Sequence, residues 1–135
     1  LEGVEQVIGK VGFRKIAELG GHILHGDLTK SLTYLHRIHE GGYNVVDLAK
    51  ELIHYLRKAL TLHMDPALEA LFRESVTSQE LDELKRHAKL VAPERHIPLI
   101  KTLIRAWSDM RYSPFASIPL EVALIEHLEN GREKK

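Results

Sequence analysis

Two strongly apolar helical segments joined by a short turn, HIPLIKTLIRAWSDMRYSPFASIPLEVALIEHL from His96 to Leu128, most tightly limit how this chain folds. At roughly 100° per residue, Ile97, Leu99, Ile100, Leu103, Ile104, Ala106, Trp107 and Met110 fall on one half of a helix. Lys101, Thr102, Arg105, Ser108 and Asp109 take the other half. Beyond the Tyr112-Ser113-Pro114 turn, Leu120, Leu124, Ile125 and Leu128 make a second apolar face, with Glu121 projecting into its middle. A carboxylate placed there needs a partner. The candidates are Arg111, as a buried ion pair, and the free amides of the helix's own first turn. The rest of the chain is expected to pack against this pair.

The remaining sequence repeats the same period. Phe13, Ile16, Ala17, Ile23 and Leu24 keep helical spacing up to Gly26, and Gly20-Gly21 within them fit a close approach by another helix. Asp27 suits an N-cap, Leu28, Leu32 and Leu35 line one side of the next helix, and Gly41-Gly42 end it. Asn44 then caps a long helix whose residues Val45, Val46, Leu48, Ala49, Leu52, Ile53, Leu56, Ala59 and Leu60 cover more than half its circumference, so that helix belongs between neighbours. Asp65-Pro66 opens a short helix through Leu68, Leu71 and Phe72. Thr77-Ser78-Gln79-Glu80 spells a capping box for a helix through Leu81, Leu84 and Ala88, and Pro93 separates it from the last pair. Pro98 leaves open where the penultimate helix starts, since proline suits only a first turn. No alternating apolar and polar run rich in β-branched residues is present, so there are no strands for an Asn-Gly or Asp-Gly hairpin turn to join. The expected fold is all-α, a compact orthogonal bundle of about seven helices: residues 1–12 a linker or short helix from a preceding module, 13–130 the helical domain, and 131–135 a charged tail.

A chain of 135 residues can bury roughly two thirds of the surface its unfolded form exposes, enough for one domain without staples. Its 19 basic and 19 acidic residues balance, so charge alone points to no nucleic acid, acidic partner or membrane surface. The absence of cysteine removes thiolate zinc sites, disulfides and cysteine nucleophiles. LEGVEQVIGK lacks an apolar signal core, and the expected location is cytoplasmic. Both ends lie in helical-looking sequence, as expected of a piece of a longer protein.

Candidate chemistry is sparse. His22 with His25 and His36 with His39 stand at i, i+3 on successive helices, a spacing that serves zinc, but the first pair lies opposite its helix's apolar stripe whereas His39 lies on the Leu28, Leu32, Leu35 stripe. The pairs face different ways, and no His-Glu-x-x-His occurs. No Gly-x-Ser-x-Gly elbow exposes a serine, and no glycine loop leads into Gly-Lys-Ser or Gly-Lys-Thr to cradle phosphate. Glu80 with Glu83 and Glu121 with Glu126 sit on helices rich in charge, where carboxylates serve solubility and capping rather than acid–base chemistry. Trp107 and Phe115 beside Arg105 and Arg111 resemble a base-stacking surface, yet the position of Trp107 in an apolar helical face favours core or interface. The last two helices have the fewest neighbours to cover Trp107, Met110, Phe115 and Ile125. An interface is therefore expected at Trp107, Phe115 and Ile125, rimmed by Arg105 and Asp109.

Several features in one order resemble a known family. Gly26-Asp27, Leu32 and Leu35, Gly41-Gly42, then Leu48, Leu52 and Leu56-Arg57 are similar in order and spacing to a helix pair and following long helix of the third, all-helical domain of the bacterial DNA polymerase III gamma/tau subunit, the clamp-loader collar. Met110-Arg111, Ser113-Pro114 and Pro119-Leu120-Glu121 resemble the stretch that closes that domain, and Val4 to Gly9 resembles the segment leading in from its ATPase module. The resemblance implies a collar that holds clamp-loader subunits together, as a homo- or hetero-oligomer, while the machine uses ATP to open the sliding clamp and place it on primed DNA. It implies no catalytic, cofactor or metal residue here, since the family's ATP loop, sensor arginines and cysteine zinc module belong to upstream domains. No direct nucleic-acid or membrane contact is expected. Two other readings compete: a helical adaptor of another complex, such as a delta-prime-like collar, and a small hydrolase with histidine-bound metal.

Overall fold

The computed structural model describes residues 12–133. Of the linker or short helix expected over residues 1–12, residues 1–11 lie outside them. Six α-helices and one 3-10 helix follow in order: α1 (Phe13–Leu24), α2 (Leu28–Glu40), α3 (Val45–Met64), the 3-10 helix (Pro66–Leu71), α4 (Ser78–Ala88), α5 (Pro93–Met110) and α6 (Ile118–Glu133). Among the described residues there is no strand, and no helix is long and apolar enough to cross a membrane. The fold is the expected all-α bundle.

Local chemistry sets most boundaries. α1 and α2 end in the same way: Gly26 (φ +76°) and Gly42 (φ +89°) take the left-handed conformation that a side chain would resist. Each lets the next amide reach back into the helix, Asp27 N–H to His22 O and Tyr43 N–H to Ile38 O. The following helix is then capped at once. Asp27 Oδ1 accepts from Lys30 N at 2.9 Å, and Asn44 Oδ1 accepts from Val46 N and Asp47 N at 2.9 and 3.0 Å. The capping box of α4 is complete, with Glu80 N donating to Thr77 Oγ1 at 3.1 Å and Thr77 N to Glu80 Oε1 at 3.0 Å.

The centre of the bundle is α3 rather than the last two helices. α1, α4, α5 and the 3-10 helix all pack on it, while α6 lies over α5 and α2. A helix apolar around most of its circumference can be satisfied only from several sides, and α3 buries Leu48, Ala49, Leu52, Tyr55, Leu56, Ala59 and Leu62. The glycine pair in α1 makes the approach possible. A Cβ on Gly20 would lie 2.9 Å from Tyr55 Cδ2 on α3, and one on Gly21 would lie 2.9 Å from His87 Nε2 on α4.

Three local expectations change. Asp65-Pro66 opens the expected short helix, in 3-10 form, but of its expected apolar residues only Phe72, just beyond it, is buried. Pro93 begins α5 rather than separating two helices, standing at its first position where its missing N–H costs nothing. Pro98 therefore falls inside α5, on the exposed side of the second turn, where water can replace the donor it lacks. In α2 the residue that continues the buried line is Ile38, and His39 is exposed.

Candidate functional site

The last two helices carry apolar residues on opposite sides. In α6, Leu120, Ala123, Leu124 and Leu128 enter the core. Ile118, Val122 and Ile125 recur at helical spacing on the opposite side and remain 48, 47 and 42 % exposed. Ala123 thus takes the inner place expected of Ile125. In α5, Leu99, Leu103, Ala106 and Met110 are buried, while Ile97 and Ile104, one heptad apart, are 38 and 49 % exposed. Both isoleucines lie at the outer margin of the half-circumference assigned to the core, and too few neighbours remain at this end to cover a face that wide. His127 Nε2 and Thr102 Oγ1, 2.9 Å apart, tie α6 to α5.

The turn between them adds aromatic surface. Tyr112 is 81 % exposed and Phe115 66 %. Trp107 is half-buried at the core's margin, and its indole N–H is buried with no partner among the described residues. The Arg111 guanidinium carbon lies 4.9 Å from the Trp107 ring centroid and 5.9 Å from that of Tyr112. This cation–π stack occupies the arginine that was one candidate partner for Glu121. Among the described residues no ion pair joins Arg111 to Glu121. Glu121 is half-exposed in the first turn of α6, where a negative charge suits the helix N-terminus. Arg105 and Asp109 are exposed on α5. Residues 105, 107, 109, 115 and 125 thus stand on one helix pair and its turn, together with Ile97, Ile104, Tyr112, Ile118 and Val122. The signal for these last residues was a helix apolar on both sides, which a search for one amphipathic stripe reads as a single wide face.

The histidines are dispersed. His22 approaches Glu18 at 3.8 Å and meets the Tyr34 ring edge-on, His36 lies 3.2 Å from Glu40, and His25 and His39 are exposed. Among the described residues no three metal-ligating side chains of His, Asp or Glu converge. A groove of about 760 Å³ runs between α1 and α4, lined by Phe13, Gly21, His22, His25, Glu83 and His87 among others. His87 of this lining holds its Nδ1 2.5 Å from the hydroxyl of Tyr55 on α3. Burial raises the Tyr55 hydroxyl pKa, and burial, with Arg86 and His25 adding to it, lowers that of His87. Both groups are thereby held neutral, the tyrosine donates, and the pair locks α3 to α4. It generates no nucleophile. Nothing local announces a contact between residues 32 apart, so the periodicity of α3 and α4 passes over it.

A protein-family model described as DNA polymerase III subunits gamma and tau domain III matches residues 1–130. No match was found among curated proteins or among solved structures.

Proposed function

This chain belongs to the family of DNA polymerase III gamma and tau subunits, domain III, and from that membership we propose that it acts as the collar of a clamp loader. In that role it holds subunits together in the cytoplasm while other domains carry out ATP-dependent loading of the sliding clamp. The carrying observation is the family match, which spans residues 1–130 and so engages the whole bundle rather than one motif. The helix pair α5–α6 supports the reading, because an isolated domain gains nothing from leaving five aliphatic side chains in water on two adjacent helices. Domain III is the non-catalytic helical part of these subunits, and the sequence contains no glycine loop leading into Gly-Lys-Ser or Gly-Lys-Thr of the kind that cradles nucleotide phosphates.

The test mixes this chain with the other subunits of its clamp loader and follows co-elution by size exclusion. A stable complex is expected, and calorimetric titration with ATP and magnesium is expected to show no saturable heat. Failure to co-elute with any loader subunit, or micromolar nucleotide binding by this chain alone, would refute the collar reading.

A further inference from the structure

Three imidazoles hold the joint between α4 and α5, residues 89–92, to its surroundings. His87, in the last turn of α4, bonds through Nδ1 to the Tyr55 hydroxyl of α3. His63, in the last turn of α3, bonds through Nδ1 to Ala88 O at 2.9 Å. His96 of α5 accepts the Ala92 N–H on its Nδ1. These bonds respond differently to a proton. A carbonyl oxygen only accepts, so His63 donates, and its bond survives whether the ring is neutral or charged. His96 accepts from an amide, and a hydrogen on its Nδ1 would set two donors face to face. His87 accepts from Tyr55, a buried side chain whose hydroxyl has no other partner among the described residues. A charged His87 would keep the bond only by orphaning the hydroxyl hydrogen in the core.

We propose that His87 and His96 form an acid-sensitive latch at the α4–α5 joint: a proton on each releases α4 from α1 and α3 and opens the joint, while α3, α5 and α6 stay packed and the His63 bond to Ala88 serves as the pivot. α4 is poorly placed to absorb the loss of an anchor. It packs on α3 and α1, and it buries only Leu84, His87 and Ala88, so the ring that titrates is one of its three anchors. Facing His87 are Tyr55 from α3, Glu83 and Arg86 from α4, His25 from the end of α1 and His22 across the groove. Glu83, 3.7 Å from Nε2, favours the charged ring, but Arg86 already pairs with it. Facing His96 are Glu94 and Arg95 from α5, His63 from α3 and, across a recess of about 20 Å³, His127 from α6. Burial, with Arg86 and His25, lowers the pKa of His87, and burial, with Arg95, lowers that of His96 to about 4. The closed latch thus refuses protons that the open one accepts, and opening becomes easier as pH falls below 6.5. Because α4 is one wall of the groove beside α1, its release widens that groove.

Amide hydrogen exchange followed by NMR from pH 7 to 5 tests the latch, read as protection relative to the unprotected rate at each pH. Protection of the α4 amides and of Ala92 N–H is expected to fall by more than about tenfold per pH unit below 6.5, since each histidine that gains a proton on opening contributes a factor of about ten. The amides of α3 around Leu52 are expected to keep their protection over the same range. His87→Gln and His96→Gln should each reduce the slope to about tenfold per pH unit, and the double variant should flatten it. Equal loss of protection in α3 and α4, a flat profile in the parent, or single variants as steep as the parent overturns the latch. The parent's own profile decides the matter should a variant fail to fold, and the collar reading stands or falls separately.

Discussion

The surroundings of α3 and the α5–α6 edge are built from the same aliphatic residues and end in opposite states. Around α3, four neighbours close over Leu48, Leu52, Leu56 and Ala59, and almost nothing of those side chains reaches water. At the edge, among the described residues, α6 packs chiefly on α5 and α2, and the apolar residues on its far side, Ile118, Val122 and Ile125, stay open to water. Apolar content therefore does not decide burial by itself. The number of neighbours that the topology supplies does, and an apolar face without one is a statement about partners.

The largest expected effect separates the two regions directly. Leu52→Ala removes a side chain with no exposure and should cost about 2–5 kcal/mol through lost transfer energy and the cavity left behind. Val122→Ala on the outer side of α6 should change the stability of the isolated chain by less than about 0.5 kcal/mol. Urea denaturation of both variants makes the comparison. A costly Val122→Ala would show that α6 is closed on both sides.

The next effect is a pH dependence on the core side. α5 has no side-chain N-cap, and His96 supplies a substitute: its Nδ1 accepts the Ala92 N–H at 2.8 Å, which only the unprotonated nitrogen can do. The side chain is 5 % exposed, and burial, with Arg95 beside it, pushes its pKa down from 6.5 to about 4. Between those values the unfolded chain holds a proton that the folded chain does not. Stability should accordingly be unaffected by this group above pH 6.5 and fall by about 1.4 kcal/mol per pH unit as pH drops toward 4. Thermal melts from pH 7 to 4 on the parent and His96→Gln read it, the variant losing this group's share of the slope and keeping that of His87, whose pKa burial also lowers.

Caps come below this. Asn44→Ala leaves two first-turn amides of α3 without their acceptor and should cost about 1 kcal/mol in the same denaturation assay. The smallest effects belong to the edge again. With Arg111 stacked on Trp107 and not paired with Glu121, Glu121→Ala and Arg111→Ala should each cost less than about 1 kcal/mol, and their double variant should be additive within about 0.5 kcal/mol. A strong coupling between them would restore the ion pair.

What could be read before folding follows the range of the forces involved. The turn at Gly26-Asp27, the Asn44 cap and the Thr77–Glu80 box depend on atoms within a few residues, and each stands as its local chemistry implies. The period of α3 announced a helix covered on several sides, and it is. The bond between Tyr55 and His87 and the room that Gly21 leaves for that ring depend on where α1, α3 and α4 meet, which no window of sequence contains. The outward lines of α5 and α6 were visible as apolar residues but not as outward ones. Ile125 is grouped with the apolar face of its helix and also marked for an interface, whereas Ile97 and Ile104 read as inner positions, because the number of neighbours at that edge is set by the topology.

The direct test of the account is whether the outer side of α6 holds a partner. Sedimentation velocity of this chain with the remaining subunits of its clamp loader, repeated with Val122→Asp/Ile125→Asp, measures it on residues that the core does not use. The account predicts that the parent moves with the complex, and that the doubly substituted chain, folded by circular dichroism, sediments alone. Equal co-sedimentation of the two chains would contradict it.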